Sequence, residues 1–205
     1  MQSLATRPRG RPRTLDVERR ILLAAQACFA SRGVDGIAMD ELARKIGISK
    51  TTIYRSFRTK EDLFKAALDH VLAQLPRASE LTSGVTGSIE ERLLVVAKRT
   101  SRLLSSANYD LIRRALASDL STPLREHIRG RAVMPYLVAI DDFLRHETDL
   151  GVLALEDVSS ATSFFFALIV GPEALRSRCS GLAFGPIDDA HLRGAVQVFI
   201  KGHAR

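Results

Sequence analysis

The chain has 205 residues, 46% of them apolar and 26% charged, enough to bury a core in one or two domains with the balance of a soluble globular protein. No charge-free apolar run approaches the ~18 residues of a bilayer span, and the Arg- and Pro-rich start lacks the apolar stretch of a secretory signal, so neither a membrane segment nor export is expected. Of the net charge of +7, the first 75 residues carry nearly all, with 14 Lys+Arg against 8 Asp+Glu, while the remainder is close to balanced. A basic N-terminal module on a neutral body is the electrostatic footprint of a nucleic-acid binder, the alternative being a solvated basic face without a ligand. Cys28 and Cys179 are the only thiols and show no CxxC or partnered His spacing. Two distant thiols fit a reducing compartment, here the cytoplasm, with no disulfide framework and no metal site.

Residues 1–13 read as a disordered basic tail, in which Arg7, Arg9, Arg11 and Arg13 alternate with Pro8, Gly10 and Pro12. Everything after it reads as helix, with no alternating strand pattern, so the fold class is all-α. A first helix spans about 15–32, with Thr14 as N-cap and Asp16 and Glu18 in the first turn. Val17, Ile21, Ala24, Ala25, Cys28 and Phe29 form its apolar stripe, which makes Cys28 a core residue, and Gly33 is its stop signal. Short helices follow at about 39–46, ended by Gly47, and 50–57, capped by Ser49. A fourth runs from the Thr59 cap, with Asp62 completing a capping box, to about Leu75 before Pro76. Gly84 and Gly87 mark a loop. Longer helices are expected at about 88–105, 109–120, 123–146, 155–179 and 188–203, with Pro135 splitting the third and Gly171-Pro172 interrupting the fourth.

The segment Leu42-Ala43-Arg44-Lys45-Ile46-Gly47-Ile48-Ser49-Lys50-Thr51-Thr52-Ile53-Tyr54 places two short helices on either side of a glycine turn. Ala43 is small enough for a close crossing, Gly47 accepts positive φ, and Leu42, Ile48 and Ile53 are spaced to meet behind the crossing. That is a helix-turn-helix, whose second helix enters the major groove. Its outer face would carry Lys50, Thr51, Thr52 and Arg55, with Tyr54 beside the backbone, all suited to phosphates and base edges. The competing interpretation is an ordinary helical hairpin with a polar surface.

The run Arg20-Ile21-Leu22, Ala25, Phe29, Gly33, Ile37, Leu42-Ala43, Gly47-Ile48-Ser49-Lys50, Ile53-Tyr54, Phe57, Lys60-Glu61 and Leu63-Phe64 resembles the N-terminal domain of TetR/AcrR-like regulators over roughly residues 15–65. The resemblance implies an all-α homodimer in which Tyr54 and Lys60 contact phosphates and Ser49, Lys50, Thr51 and Thr52 help read bases. It also implies three regions: the tail at 1–13, a DNA-binding domain at 14–60 and an effector-binding and dimerisation domain at 61–205. This chain departs from the pattern at Ala38, where Thr or Ser commonly caps the second helix, and at Thr51, where Gly is frequent.

Pro8-Arg9-Gly10-Arg11-Pro12-Arg13 also resembles the Arg-Gly-Arg-Pro core of an AT-hook. An extended arginine chain suits a narrow minor groove, which adds Arg9, Arg11 and Arg13 to the candidate DNA contacts; non-specific phosphate attraction is the alternative.

By the same resemblance the last two long helices build a dimer interface. Ser160, Phe164, Leu168, Val196 and Phe199 are its candidates, against plain core packing of a monomer. A small-molecule effector would sit between about 88 and 170, lined by Tyr109, His127, Met134, Tyr136, Phe143 and Phe165, each of which is otherwise ordinary core or surface. An apolar or aromatic effector is the simpler expectation. No nucleophile–base set, phosphate loop or metal spacing can be assembled, so no enzyme and no cofactor are expected. The function expected is a sequence-specific regulator of double-stranded DNA, a repressor released from a palindromic operator by its effector. The alternative is an architectural protein coating AT-rich DNA.

Overall fold

The computed structural model describes residues 13–32, 38–180 and 185–203, which form α-helices and one 3-10 turn with no strand among the described residues. Residues 1–12 of the tail and Gly33 lie outside them, and Arg13, read from the sequence as the end of the tail, is the first residue of a helix. Two compact units divide the chain, Met1–Ala73 and Gln74–Arg205.

The first unit holds α1 (Arg13–Arg32), α2 (Met39–Ile46), α3 (Lys50–Ser56) and α4 (Lys60–Leu72). The helix starts at Arg13, so Thr14 lies within its first turn and not at the cap position. Ile21 and Ala25 of α1, Leu42 of α2, Ile53 of α3 and Leu63 and Ala67 of α4 make the core. Full burial of an Ile or Leu side chain stabilises by about 1.5–3 kcal/mol, so these few residues dominate a small unit. Phe29 meets Phe64 edge-on, ring centroids 4.6 Å apart. The α4 capping box forms as expected, Asp62 N–H donating to Thr59 Oγ1 at 3.0 Å and Thr59 N–H to the Asp62 carboxylate at 3.0 Å. Because α4 packs along α1 and buries Leu63, Phe64, Ala67, Leu68 and Val71, it belongs to the first unit, and the division falls after Ala73 instead of at residue 60.

The second unit begins with a 3-10 turn at Ala78–Leu81 that the apolar pattern does not announce. Arg99 holds it from a distance in sequence, donating to the carbonyls of Glu80 (3.0 Å) and Ser83 (2.7 Å). Then come α5 (Ile89–Leu104), α6 (Ala107–Ala117), α7 (Thr122–Ala132), α8 (Met134–Asp149), α9 (Val158–Ser180) and α10 (Asp189–His203). Ser88 caps α5 in a reciprocal box with Glu91, and Ser106 caps α6. The expected split near Pro135 occurs at Val133, because proline removes an N–H and collides with the preceding turn. Helix α9 packs against α8, α10 and α5, and Phe165 meets Phe199 at 5.0 Å in the middle of the core. Glu147, almost fully buried, is paired with Arg92.

Helix α9 differs from expectation in two ways. Gly171-Pro172 does not interrupt it, and the helix is continuous from Val158 to Ser180. Pro172 cannot return an N–H to the carbonyl of Leu168 one turn back. That carbonyl is instead served by the Nε2 of His191 on α10, at 2.8 Å. The second difference is that Val158–Ser177, with mean hydropathy 1.4, is by length and composition apolar enough to cross a bilayer, although no charge-free run within it is that long. Its residues face two ways. Ala161, Phe165, Ile169 and Glu173 point into the unit, while Ser160, Phe164, Ala167 and Leu175 point out.

Candidate nucleic-acid interface and ligand cavity

Helices α2 and α3 cross at a turn whose pivot is Gly47, with φ 68°. In that left-handed region a side chain is strained, and only glycine enters without penalty. Its N–H closes on the carbonyls of Ala43 and Arg44, and Arg20 of α1 donates to the Ile46 carbonyl at 2.7 Å, so α1 braces the end of α2. Leu42, Ala43 and Ile53 are buried at the crossing, and Ile48 is half-buried. Ala38 occupies the α2 cap position with no side-chain bond, as its chemistry dictates.

Helix α3 opens on Ser49, whose Oγ accepts from Thr52 N–H at 3.1 Å and lies 2.8 Å from Thr52 Oγ1. Those two hydroxyls are therefore engaged with each other. Thr51, Tyr54 (40% exposed) and Arg55 stand on the open face. Lys50 is also exposed, but its Nζ is tied to Asp40 at 3.0 Å; the hydrogen bond and charge of Asp40 raise its pKa above the ordinary lysine value. Lys60 is half-buried at the start of α4. Arg9 and Arg11 lie outside the described residues, and Arg13 opens α1. Arg20 is a positioning group that sequence reasoning missed, as is the pairing of Asp40 with Lys50. Arg20 falls within the family-like run but carries no distinguishing spacing, and its partner is 26 residues away.

In the second unit two chambers open between α5, α6, α8 and α9. The inner one, about 270 Å³, is lined by Thr100, Tyr109, Tyr136, Ile140 and Phe166 among others. The outer one, about 430 Å³, adds Arg113, Ala117 and Val170. Leu104, Tyr109 and Phe166 are walls of both. Tyr109 and Tyr136 thus both line these chambers. Burial raises the pKa of the Tyr109 phenol, and burial, with Tyr109 and Glu80 nearby, pushes Tyr136 up to about 12. The Tyr136 hydroxyl donates to the Pro76 carbonyl at 2.6 Å.

The other four pocket candidates do not line these chambers. Phe165 is closed off against Phe199, Phe143 is packed in the core, Met134 is exposed at the start of α8, and His127 sits half-buried on α7. Each is apolar or aromatic at a helical spacing, and only packing separates core from cavity wall. Among the interface candidates, Ser160, Phe164 (61% exposed) and half-buried Leu168 share the outer stripe of α9. Val196 and Phe199 are buried in their own unit, and α10 presents Val198 (58% exposed) in their place.

The profile of bacterial regulatory proteins of the tetR family matches residues 21–67. That of the AefR-like transcriptional repressor C-terminal domain matches residues 91–203, more than half of the chain. An uncharacterized HTH-type transcriptional regulator of Bacillus subtilis, YdeS, is 27% identical over 95% of this chain and 93% of its own length. A DNA-binding transcriptional repressor, TetR, of Mycobacteroides abscessus is 30% identical over 57% of this chain and 62% of its own. Among solved structures, a putative TetR-family transcriptional regulator from Mesorhizobium loti superposes with a TM-score of 0.74 at 23% identity, covering 95% of this chain and 100% of that one. A TetR transcriptional regulator from Agrobacterium tumefaciens gives 0.75 at 19%, covering 92% and 94%. At those identities the structural likeness speaks for the fold.

Proposed function

The chain belongs to the TetR family and is a helix-turn-helix transcriptional regulator, and from that premise we propose that it is a cytoplasmic homodimeric repressor, released from a two-fold-symmetric operator by a small molecule entering the cavity of the second unit. The observation that carries this reading is the outer face of α3. A helix seated by Ile53 and capped by Ser49 turns Thr51, Tyr54 and Arg55 to solvent beside Lys50. Thr51 and Arg55 suit base edges, while Tyr54, Lys50 and Lys60 suit phosphates.

A seven-residue recognition helix contacts only a few base pairs. Two are needed, on the order of 34 Å apart, for a long operator, which requires a two-fold partner. Helix α9 is suited to provide it: Ser160, Phe164, Ala167, Gly171 and Leu175 (65% exposed) recur at helical spacing along its outer face. Burying that stripe against a second copy accounts for a helix apolar on both sides without a bilayer. The AefR-like repressor profile supports repression. For release, Tyr136 forms part of the cavity wall and also holds the Pro76 carbonyl, just past the end of the first unit. An effector that favours a different Tyr136 position shifts the population away from the DNA-binding form.

The test is binding of the full-length protein to duplexes from around its own coding region and to scrambled duplexes, across a salt series. One symmetric site should bind about a thousandfold tighter than scrambled DNA. Tyr54→Phe and Lys60→Gln should weaken binding to every duplex, with the salt slope falling by about one for Lys60→Gln, while Thr51→Val changes the preferred sequence. Equal affinity for all duplexes with a steep salt slope would replace this reading with an architectural role.

A further inference from the structure

We propose that the cavity of the second unit takes an amphiphilic organic acid, with its apolar body between Tyr109 and Phe166, its carboxylate at Arg113 and a neutral polar group at Thr100. The inference rests on the effector-cavity reading above and adds the chemical class of the ligand.

The two chambers share Leu104, Tyr109 and Phe166 as walls, so they adjoin, and the ligand placed here extends from one into the other. The outer chamber, about 430 Å³, lies by itself in the range of small-molecule sites, roughly 300–1,000 Å³, and the inner one, about 270 Å³, extends it. Most of the lining is aliphatic or aromatic, which sets an apolar body.

Two polar groups on this lining have a donor to spare. Thr100 is 1% exposed, lines the inner chamber, and its hydroxyl has no hydrogen-bond partner within the protein. A helical threonine ordinarily satisfies itself on the carbonyl one turn back. At the outer chamber the Nε of Arg113 is likewise buried and unpartnered. Neither tyrosine competes for the ligand's charge: both stay neutral, and Tyr136 already donates to Pro76.

The charge balance at the outer end selects an anion. Arg113 and Arg114 both bind Asp110, at 2.6 and 2.7 Å. Burial works against the charged carboxylate, but the hydrogen bonds from the two guanidiniums outweigh it and hold the Asp110 pKa below its ordinary value. Asp110 is therefore ionised, and two cations share one anion. One positive charge is left uncompensated beside a buried N–H that lacks an acceptor, and a carboxylate answers both needs at once. A cationic ligand meets repulsion there, and an amine or hydrocarbon terminus leaves the buried Nε–H without an acceptor.

Binding to the full-length protein by calorimetry, with thermal shift as a second readout, would compare decanoic acid, ω-hydroxydecanoic acid, decanol and decylamine, plus a naphthoic acid against its amide for a flat body. Acids should bind at least about tenfold tighter than their neutral counterparts, and the ω-hydroxyl should add a few-fold. Arg113→Met should abolish the preference for acid, so that decanoic acid and decanol bind this variant with similar affinity. Arg113→Gln serves as a second variant, since Asp110 keeps Arg114 in both. Thr100→Val should remove only the gain from the ω-hydroxyl. A neutral or cationic probe that binds as tightly as its acid, or a preference that survives both Arg113 variants, would overturn the inference and leave the effector reading standing. If no probe binds and none changes operator affinity, both fall.

Discussion

Gly47 and the Gly171-Pro172 pair are both helix-breaking signals, and they have opposite outcomes. At Gly47 the chain turns into the left-handed region and α2 ends. At Gly171-Pro172, by ordinary propensity the stronger stop, α9 runs on to Ser180. The first site is decided by its own backbone: nothing approaches within 4 Å of where a Gly47 side chain would begin, so the turn depends on φ alone. The second is decided by another helix, since His191 arrives from α10 to serve the carbonyl that Pro172 strands. A local signal prevails where no tertiary partner offers compensation, and yields where one does.

The same contrast separates the two units. In the first, local caps and a glycine turn shape the functional face that Arg20 braces from α1, while in the second a buried ion pair and a proline repair join residues far apart in the chain, and the largest effects should appear there. Arg92→Leu leaves Glu147 buried without its cation. It should lower the stability of the second unit by about 3–5 kcal/mol in denaturant unfolding, more than Glu147→Gln. A cost below about 1 kcal/mol would mean that the pair matters little.

His191→Leu should cost about 1–3 kcal/mol by orphaning the Leu168 carbonyl. Pro172→Ala, which returns the missing N–H, should recover much of that loss in the double variant. Strict additivity of the two substitutions would sever the proposed link between proline and histidine.

Gly47→Ala should cost about 1–2 kcal/mol in the first unit, as a backbone penalty without a clash. Gly47→Asn should cost less, because asparagine tolerates that region. If the alanine variant is as stable as the parent, the turn does not depend on φ.

The smallest effect is on acid stability. The Asp110 pKa is depressed in the folded chain. The stability this group contributes is fully present above the ordinary carboxylate pKa and disappears as pH falls through the lower folded value. Asp110→Asn should therefore flatten the acid limb of a stability–pH profile, and an unchanged limb would dissociate the Arg113–Asp110–Arg114 cluster from folding.

Legibility followed the same division. The limits of α2 and the caps at Ser49, Thr59, Ser88 and Ser106 depend on residues three or four positions apart, and of the caps Ser49 and Thr59 are readable directly from the sequence. The polar residues of α3 were readable too, but the Lys50–Asp40 pair and the mutual bond of Ser49 and Thr52 were not, because they depend on rotamers and on the crossing of α2 and α3. Tyr109 and Tyr136 could be named as cavity residues but not distinguished from Phe143 and Phe165, since all four are large rings on apolar faces. Phe164 and Val198 could not be separated from Phe165 and Phe199, which lie one position away and turn inward.

By itself, then, the sequence determined the all-α class, the helix-turn-helix with its exposed polar face, the basic first third and the kinship with TetR regulators. The first three depend on periodicity, capping and composition, which act within a few residues of chain, and the kinship rests on the run of matching residues over roughly 15–65. The tertiary structure alone decided that α4 belongs with the first unit, that α9 survives its proline, and which face of α9 stays open. It also placed a threonine with an unpartnered hydroxyl and an arginine with an unpartnered Nε on the linings of two adjoining chambers. Those outcomes depend on which distant side chain fills a space or meets a stranded polar group, and no local pattern of residues carries that information.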